Sequence, residues 1–254
     1  MSPFQTPTNA PPPAYTPASP TTLIPGPITH TADDPFAFLS TFDTIFLIDD
    51  SGSMAGRSWR ETSSALRSIA PICTAHDADG IDLYFLNHPD NVEYRNITTS
   101  ASIERIFSTV QPRGGTPTGT RLNHILKPYL ARVEREGDSV KPLNIIVITD
   151  GVPSDDVESV VINAAKKLDR ADVPAWQVGI QFFQVGEEKG AAAMLQSLDD
   201  DITELSGGAR DIVDTVPWNG VNGSGLNGDF LMKTVLGAVN RKLDRKKVSA
   251  EWRR

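Results

Sequence analysis

The residues with the most chemistry in them are Asp49-x-Ser51-x-Ser53, one carboxylate and two hydroxyls on a loop that directly follows the apolar run Asp43-Thr-Ile-Phe-Leu-Ile48. A bend at such a junction turns alternate side chains toward a common point. All three groups are hard oxygen donors, with no thiolate and no clustered imidazole beside them, and they suit Mg2+, with Mn2+ or Ca2+ as further candidates. Two more loops offer matching groups. One is Gly114-Gly-Thr116-Pro-Thr118-Gly119, just before a helix that starts near Thr120. The other holds Asp150, in Thr149-Asp150-Gly151 at the end of the wholly apolar run Ile145-Ile-Val-Ile148.

Something must bring these loops to one place, and the hydrophobic pattern says what. The two apolar runs are short, β-branched and unbroken, as strands buried on both faces are. Between them lie helical spacings: Trp59, Thr62, Leu66 and Ile69, which Pro71 is expected to end, then Ile103, Ile106 and Phe107, then Leu122, Ile125, Leu126, Tyr129, Leu130 and Val133. Pro128 should kink that last helix or break it. Asp79-Gly80 precedes a strand over 81–86, and Val92-Glu-Tyr94 is a candidate for a weaker strand antiparallel to it. Helix 156–169, strand 175–183, helix 187–197, a short strand near 211–213 and a closing helix over 228–240 complete the series. Strand and helix alternate throughout. The fold class is therefore α/β, a doubly wound, mostly parallel central sheet flanked by helices on both faces, with sites at the carboxyl ends of the strands.

On those three motifs the chain closely resembles the von Willebrand factor type A domain family and its metal-ion-dependent adhesion site, over roughly residues 40 to 215. The resemblance implies a Rossmann-like fold. It implies that Asp49, Ser51, Ser53, Thr116 and Asp150 surround one divalent cation, directly or through water, with one position left for an Asp or Glu carboxylate of a partner protein. The charges agree with that expectation, because two carboxylates among neutral hydroxyls leave such an ion poorly neutralised. Asp50 is expected either behind the site or in solvent, and Thr118 within its loop. The function expected is a non-catalytic protein-interaction module.

Two alternatives stand beside it: a hydrolase or nucleotide-dependent enzyme using the same cleft, and a scaffold with a vestigial metal site. The surroundings of Ser51 are not a Gly-x-Ser-x-Gly elbow, and no acid and histidine can be assigned to it. Gly114 and Gly119 have phosphate-loop spacing, yet Thr120 stands where that loop needs lysine. His30, His76, His88 and His124 are scattered without companions at zinc-ligand spacing. Trp59 reads as a core anchor, and the single cysteine, Cys73, as a buried small side chain.

With 254 residues and 39% hydrophobic side chains, the chain can fill a large core. One cysteine excludes an intrachain disulfide framework, and the opening residues have neither the basic start nor the apolar core of a signal peptide, so a cytoplasmic or nuclear setting is expected. No apolar run is long enough for a membrane span. Residues 1–32 hold no charged side chain, and ten of the 19 prolines fall in the first 35 residues, which predicts a disordered leader over 1–35. Within it Pro12-Pro13-Ala14-Tyr15 resembles a PPxY ligand of WW-domain proteins, a preformed polyproline helix with a tyrosine anchor. The domain is expected over 36–240. The tail, 241–254, has seven basic and two acidic side chains, whereas the whole chain carries a net charge of −8. An acidic body repels polyphosphate and argues against nucleic acid as a partner. The oligomeric state stays open, with a monomer as the default.

Overall fold

β1 (Asp43–Ile48) and β3 (Leu143–Thr149) form around the apolar runs Ile45-Phe-Leu-Ile48 and Ile145-Ile-Val-Ile148, and they lie side by side at the centre of the sheet. The structure is a computed structural model that describes residues 40–76, 79–186, 190–191, 193–195, 197–198 and 207–216. β2 (Asp82–Phe85), β4 (Val178–Gln184) and β5 (Val213–Val216) join them in the order β2-β1-β3-β4-β5, with every pairing parallel. Parallel neighbours require crossovers, and the intervening helices supply them.

Alternation along the strands divides the core in two. Phe46, Ile48, Ile146, Ile148 and Phe183 face α1 (Arg57–His76) and α2 (Ser100–Thr109). Ile45, Leu47, Ile145, Val147 and Phe182 face α3 (Thr118–Glu136) and α4 (Val157–Arg170). Most of these side chains are fully buried, and each contributes about 1.5–3 kcal/mol relative to exposure. Trp59 is a core anchor, its ring 4.6 Å from that of Phe107, and Cys73 is buried. One polar knot sits in this apolar setting: the Tyr129 hydroxyl donates toward the Lys141 carbonyl (2.9 Å) and accepts from Gln177 Nε2 (2.8 Å). Burial pushes that phenol up to about 12, against a smaller opposing effect of the Gln177 bond.

The structure departs from the sequence expectation at Pro71 and at Val92–Tyr94, and at Pro128 it excludes one of the two expected outcomes, the break. Pro71 does not end α1, which continues to His76. Proline has no N–H to give the carbonyl four residues earlier, and that carbonyl, of Arg67, instead accepts from Ser100 Oγ of α2 at 2.6 Å. Pro128 is exposed inside α3 and does not break it. Val92–Tyr94 is a 3-10 turn, not a strand: the Asn91 side chain accepts from the Glu93 N–H, and pairing with the β2 segment shrinks to one antiparallel bridge, Ile81 with Ile97. Helical backbone at the described positions from 190 to 198 and β5 match the expected order. The leader with Pro12, Pro13 and Tyr15, the Asp199–Asp201 run, the closing helix over 228–240 and the basic tail lie outside the described residues.

Candidate functional site

Two of the chemistry-bearing loops leave the carboxyl ends of the adjacent strands β1 and β3, so the sheet register brings them together, and the other, which joins α2 to α3, is held against them by backbone hydrogen bonds. Ile48 of β1 pairs with Ile148 of β3, which sets Asp49 beside the Thr149-Asp150 step. The first loop turns back through an Asx-type bond, with the Ser51 N–H donating to Asp49 Oδ1 at 2.8 Å. Asp49 Oδ2 accepts from the Thr149 hydroxyl at 2.6 Å. Ser51 and Ser53 hydroxyls are 3.0 Å apart, and Ser53 Oγ donates to Asp150 Oδ1 at 2.7 Å. A Cβ placed on Gly151 would lie 3.9 Å from Thr116 Oγ1 and 4.0 Å from Ser53 Oγ, so the second loop delivers Thr116 to the same spot. Asp49, Ser51, Ser53, Thr116 and Asp150 therefore form one cluster. Ser53 is its exposed member, and Asp49 is fully buried.

The second loop is fastened on both sides. Its Gly114 carbonyl accepts from the Gly52 N–H at 3.3 Å, and its Arg113 N–H donates to the Asp50 carbonyl at 2.6 Å. The Thr116 carbonyl accepts from the Ser154 and Thr118 N–H groups, at 2.9 and 2.8 Å. Thr118 is buried within the loop, its hydroxyl 3.4 Å from that same carbonyl. Gly114 takes a φ of +83°, and a Cβ there would lie 2.6 Å from the Asn87 side chain. Within this loop it is the position where both conformation and space demand glycine.

Four contributors were not legible as site residues. Thr149 holds Asp49 in place. Asn87 and His88, just past β2, hold Asp50: Oδ1 accepts from the Asn87 N–H (2.7 Å) and Nδ2 (3.0 Å), and Oδ2 from the His88 N–H (3.1 Å), with His88 Nδ1 at 2.6 Å. Asp50 is fully buried and serves this strut, pointing neither into the cluster nor into solvent. Asn87 Nδ2 also reaches the Gly115 carbonyl at 2.9 Å, tying the first loop to the second. Asp155, on the loop after β3, accepts from the Gly119 and Thr120 N–H groups at 2.8 and 2.7 Å. It caps the start of α3, which has no side-chain cap of its own at Pro117. The only sequence signal for these roles is polarity next to a strand end.

Burial raises the Asp49 carboxyl above the usual aspartate range, against the lowering effect of its Thr149 and Ser51 bonds. A raised folded-state pKa means that the folded chain holds this proton more tightly than the unfolded chain. Stability contributed by the protonated form is then full below the ordinary aspartate range and is lost as pH rises through the raised value. Asp49→Asn keeps the shape without the charge. It is expected to melt at a higher temperature than the unaltered chain near neutral pH, with the difference disappearing on acidification. Thermal melts of both proteins across acid to neutral pH check this, and a gain that grows toward low pH refutes it.

The expectation of a bound divalent cation requires correction. Among the described residues there is no group of three or more His, Cys, Asp or Glu side chains that could hold a metal ion. Only two carboxylates, Asp49 and Asp150, enter the cluster. Three of the oxygen contacts they make are already hydrogen bonds from Ser51, Thr149 and Ser53. So few charges, engaged in this way, do not offset the dehydration of a divalent ion. The Mg2+ cofactor, with Mn2+ or Ca2+ in its place, is not supported, and neither is the partner Asp or Glu that such an ion would have received. Among the described residues no helix is long and apolar enough to cross a membrane.

The comparisons with known proteins agree with the fold. No curated protein matches the chain. The family model of the von Willebrand factor type A domain matches residues 43–204, more than half of the chain and the whole stretch from β1 through the three site loops. With the parallel sheet, the helices on both faces and the three loops at one edge, that match shows that this chain belongs to the von Willebrand factor type A domain family.

Proposed function

We propose that this chain is a non-catalytic protein-interaction module whose partner contacts the loop edge formed by Asp49, Ser51, Ser53, Thr116 and Asp150. Domains of the family are in general adhesion and interaction modules without catalysis. The observation that carries the reading is the locked convergence of three loops on one sheet edge, with exposed Gly52, Ser53, Gly114 and Gly115 at its surface. Val152, one of two large apolar side chains exposed among the described residues, stands on the same rim, two residues past Asp150. An apolar side chain beside rigid hydrogen-bonding groups is the composition of a small contact centre. The hydrogen bonds of Ser51 and Ser53 go to each other, to Asp49 and to Asp150, and the imidazole of His88 is committed to Asp50, which favours binding over hydrolysis. The interacting domain is taken as 36–240, with 1–35 and 241–254 as flanks, in a cytoplasmic or nuclear setting that the single cysteine supports.

The test is photo-crosslinking in cells with benzoylphenylalanine placed at Val152, or at Lys127 on the exposed side of α3. Discrete protein adducts are expected from position 152 alone, and Ser53→Arg on the same chain should remove them while leaving its circular dichroism unchanged. Equal adducts from both positions, or adducts indifferent to Ser53→Arg, would refute the reading. So would turnover of a model ester or nucleotide that Asp49→Ala abolishes.

A further inference from the structure

β2 is the edge of the described sheet: its inner side pairs with β1, and on its outer side a single backbone bridge, Ile81 with Ile97, precedes the strand and leaves Leu83 and Phe85 without a partner strand. Along a parallel strand, alternate residues turn their backbone groups to the neighbour. Leu86 donates to the Ile48 carbonyl at 3.1 Å, so Leu83 and Phe85 turn theirs outward. An edge that presents such groups invites pairing with another strand. Here the two outward carbonyls are already occupied, and by arginine: Arg95 Nη1 donates to the Leu83 carbonyl at 2.6 Å, and Arg121 Nε to that of Phe85 at 2.7 Å.

The two guanidinium groups are built into place. Arg95 Cζ lies 3.7 Å and Arg121 Cζ 5.3 Å from the centre of the Tyr84 ring, on the residue between the two carbonyls. Asp90 ties both together, with Arg95 Nη2 at 3.3 Å, Arg121 Nη2 in direct contact and His124 Nε2 at 3.2 Å. Asp82 adds a fourth tether, 3.8 Å from Arg95 Nε. Arg95 comes from the turn after β2, and Arg121 from the first turns of α3. Two separate elements thus place the same kind of group on successive outward carbonyls of one strand. A guanidinium is the side chain best suited to the task, since its charge strengthens the bond to a carbonyl and its plane stacks on an aromatic ring.

We infer that Arg95, Arg121, Tyr84 and Asp90 form a guard that keeps the β2 edge from pairing with β2 of a second copy of this chain. With the guard removed, Leu83 and Phe85 present their carbonyls to solvent. Two copies of Asp82–Phe85 then meet antiparallel about a two-fold axis, each supplying the same backbone groups to the other. Strand pairing of this kind needs no new side-chain complementarity.

The experiment compares the full chain with the Arg95→Ala/Arg121→Ala double variant by light scattering and by residue-resolved amide exchange. The expected result is a doubling of mass relative to the unaltered chain, with slowed exchange at Leu83 and Phe85 in the associated form. A natively folded double variant with unchanged mass would overturn the inference. Association that leaves exchange at Leu83 and Phe85 as fast as before would also overturn it. If the double variant does not fold, Asp90→Asn decides: it keeps both arginines and loosens their common tether. It should associate more weakly through the same two amides, and a folded Asp90→Asn protein with unchanged mass and exchange would overturn the proposal.

Discussion

Asp50→Ala is expected to lower the folding free energy by about 3 kcal/mol, because it removes the buried acceptor shared by the backbone N–H groups and side chains of Asn87 and His88. The carboxylate is fully buried and receives the Asn87 and His88 N–H groups and both of their side chains. A carboxylate only accepts, so all of these contacts depend on its oxygens. Asp50→Asn separates charge from shape. Its carbonyl oxygen can still accept from Asn87, whereas its amide N–H would face the His88 backbone N–H, donor against donor, so an intermediate loss is expected. Urea unfolding of the three proteins measures both effects. A loss in Asp50→Ala no larger than that of an ordinary surface substitution would show that Asn87 and His88 find other partners. The second expected effect is on the loop edge. Asn87 also holds the Gly115 carbonyl, so freeing Asn87 should weaken crosslinking at position 152 even at temperatures where Asp50→Ala remains folded.

That strut shows where the sequence was informative and where it was not. β1 and β3 were legible from the apolar runs Ile45-Phe-Leu-Ile48 and Ile145-Ile-Val-Ile148 that burial on both faces requires, and the amphipathic helices because their apolar residues recur every three or four positions. The convergence of Asp49, Ser51, Ser53, Thr116 and Asp150 was legible too, since each lies one or a few residues past a strand or before a helix, at the edge where a parallel sheet gathers its loops. Asn87, His88 and Asp155 were not. They act on groups more than thirty residues away, and nothing local distinguishes them from solvated loop residues. Pro71 misled for a related reason: its cost inside a helix is real, but Ser100 from the next helix satisfies the freed carbonyl of Arg67. Val92–Tyr94 has strand-like composition, and local capping by Asn91 overrides it. The cation was misread because hard oxygen donors were counted as ligands, whereas in the folded chain they are donors and acceptors to one another. A sequence does not show whether two hydroxyls and two carboxylates face a shared ion or each other.

Gly119→Ala is expected to cost about 3 kcal/mol, at the upper end of what one added methyl does in a tight site. The added Cβ would lie 2.4 Å from the Asp156 carbonyl oxygen and 2.7 Å from its carbon, both backbone atoms that cannot swing aside. Relief requires moving the loop after β3. That loop carries Asp155, whose carboxylate caps α3 through Gly119 and Thr120, and Ser154, whose N–H holds the Thr116 carbonyl. Part of the loss is therefore the cap and part the separation of Thr116 from Asp150. Gly52→Ala is the matched control. It makes the same chemical change on the neighbouring loop, where a Cβ has nothing within 4 Å and the backbone is not left-handed, so its cost should stay within about 0.5 kcal/mol. Urea unfolding of the two variants should separate them clearly, and equal stabilities would mean that the α3 start and the β3 loop are not in the contact described. With both proteins folded, Gly119→Ala should also reduce crosslinking at position 152, because the rim that carries Val152 is the part that must move. Close packing of α3 against that loop thus holds Thr116, Asp150 and Val152 on one surface, and a single methyl group at its tightest point is enough to part them.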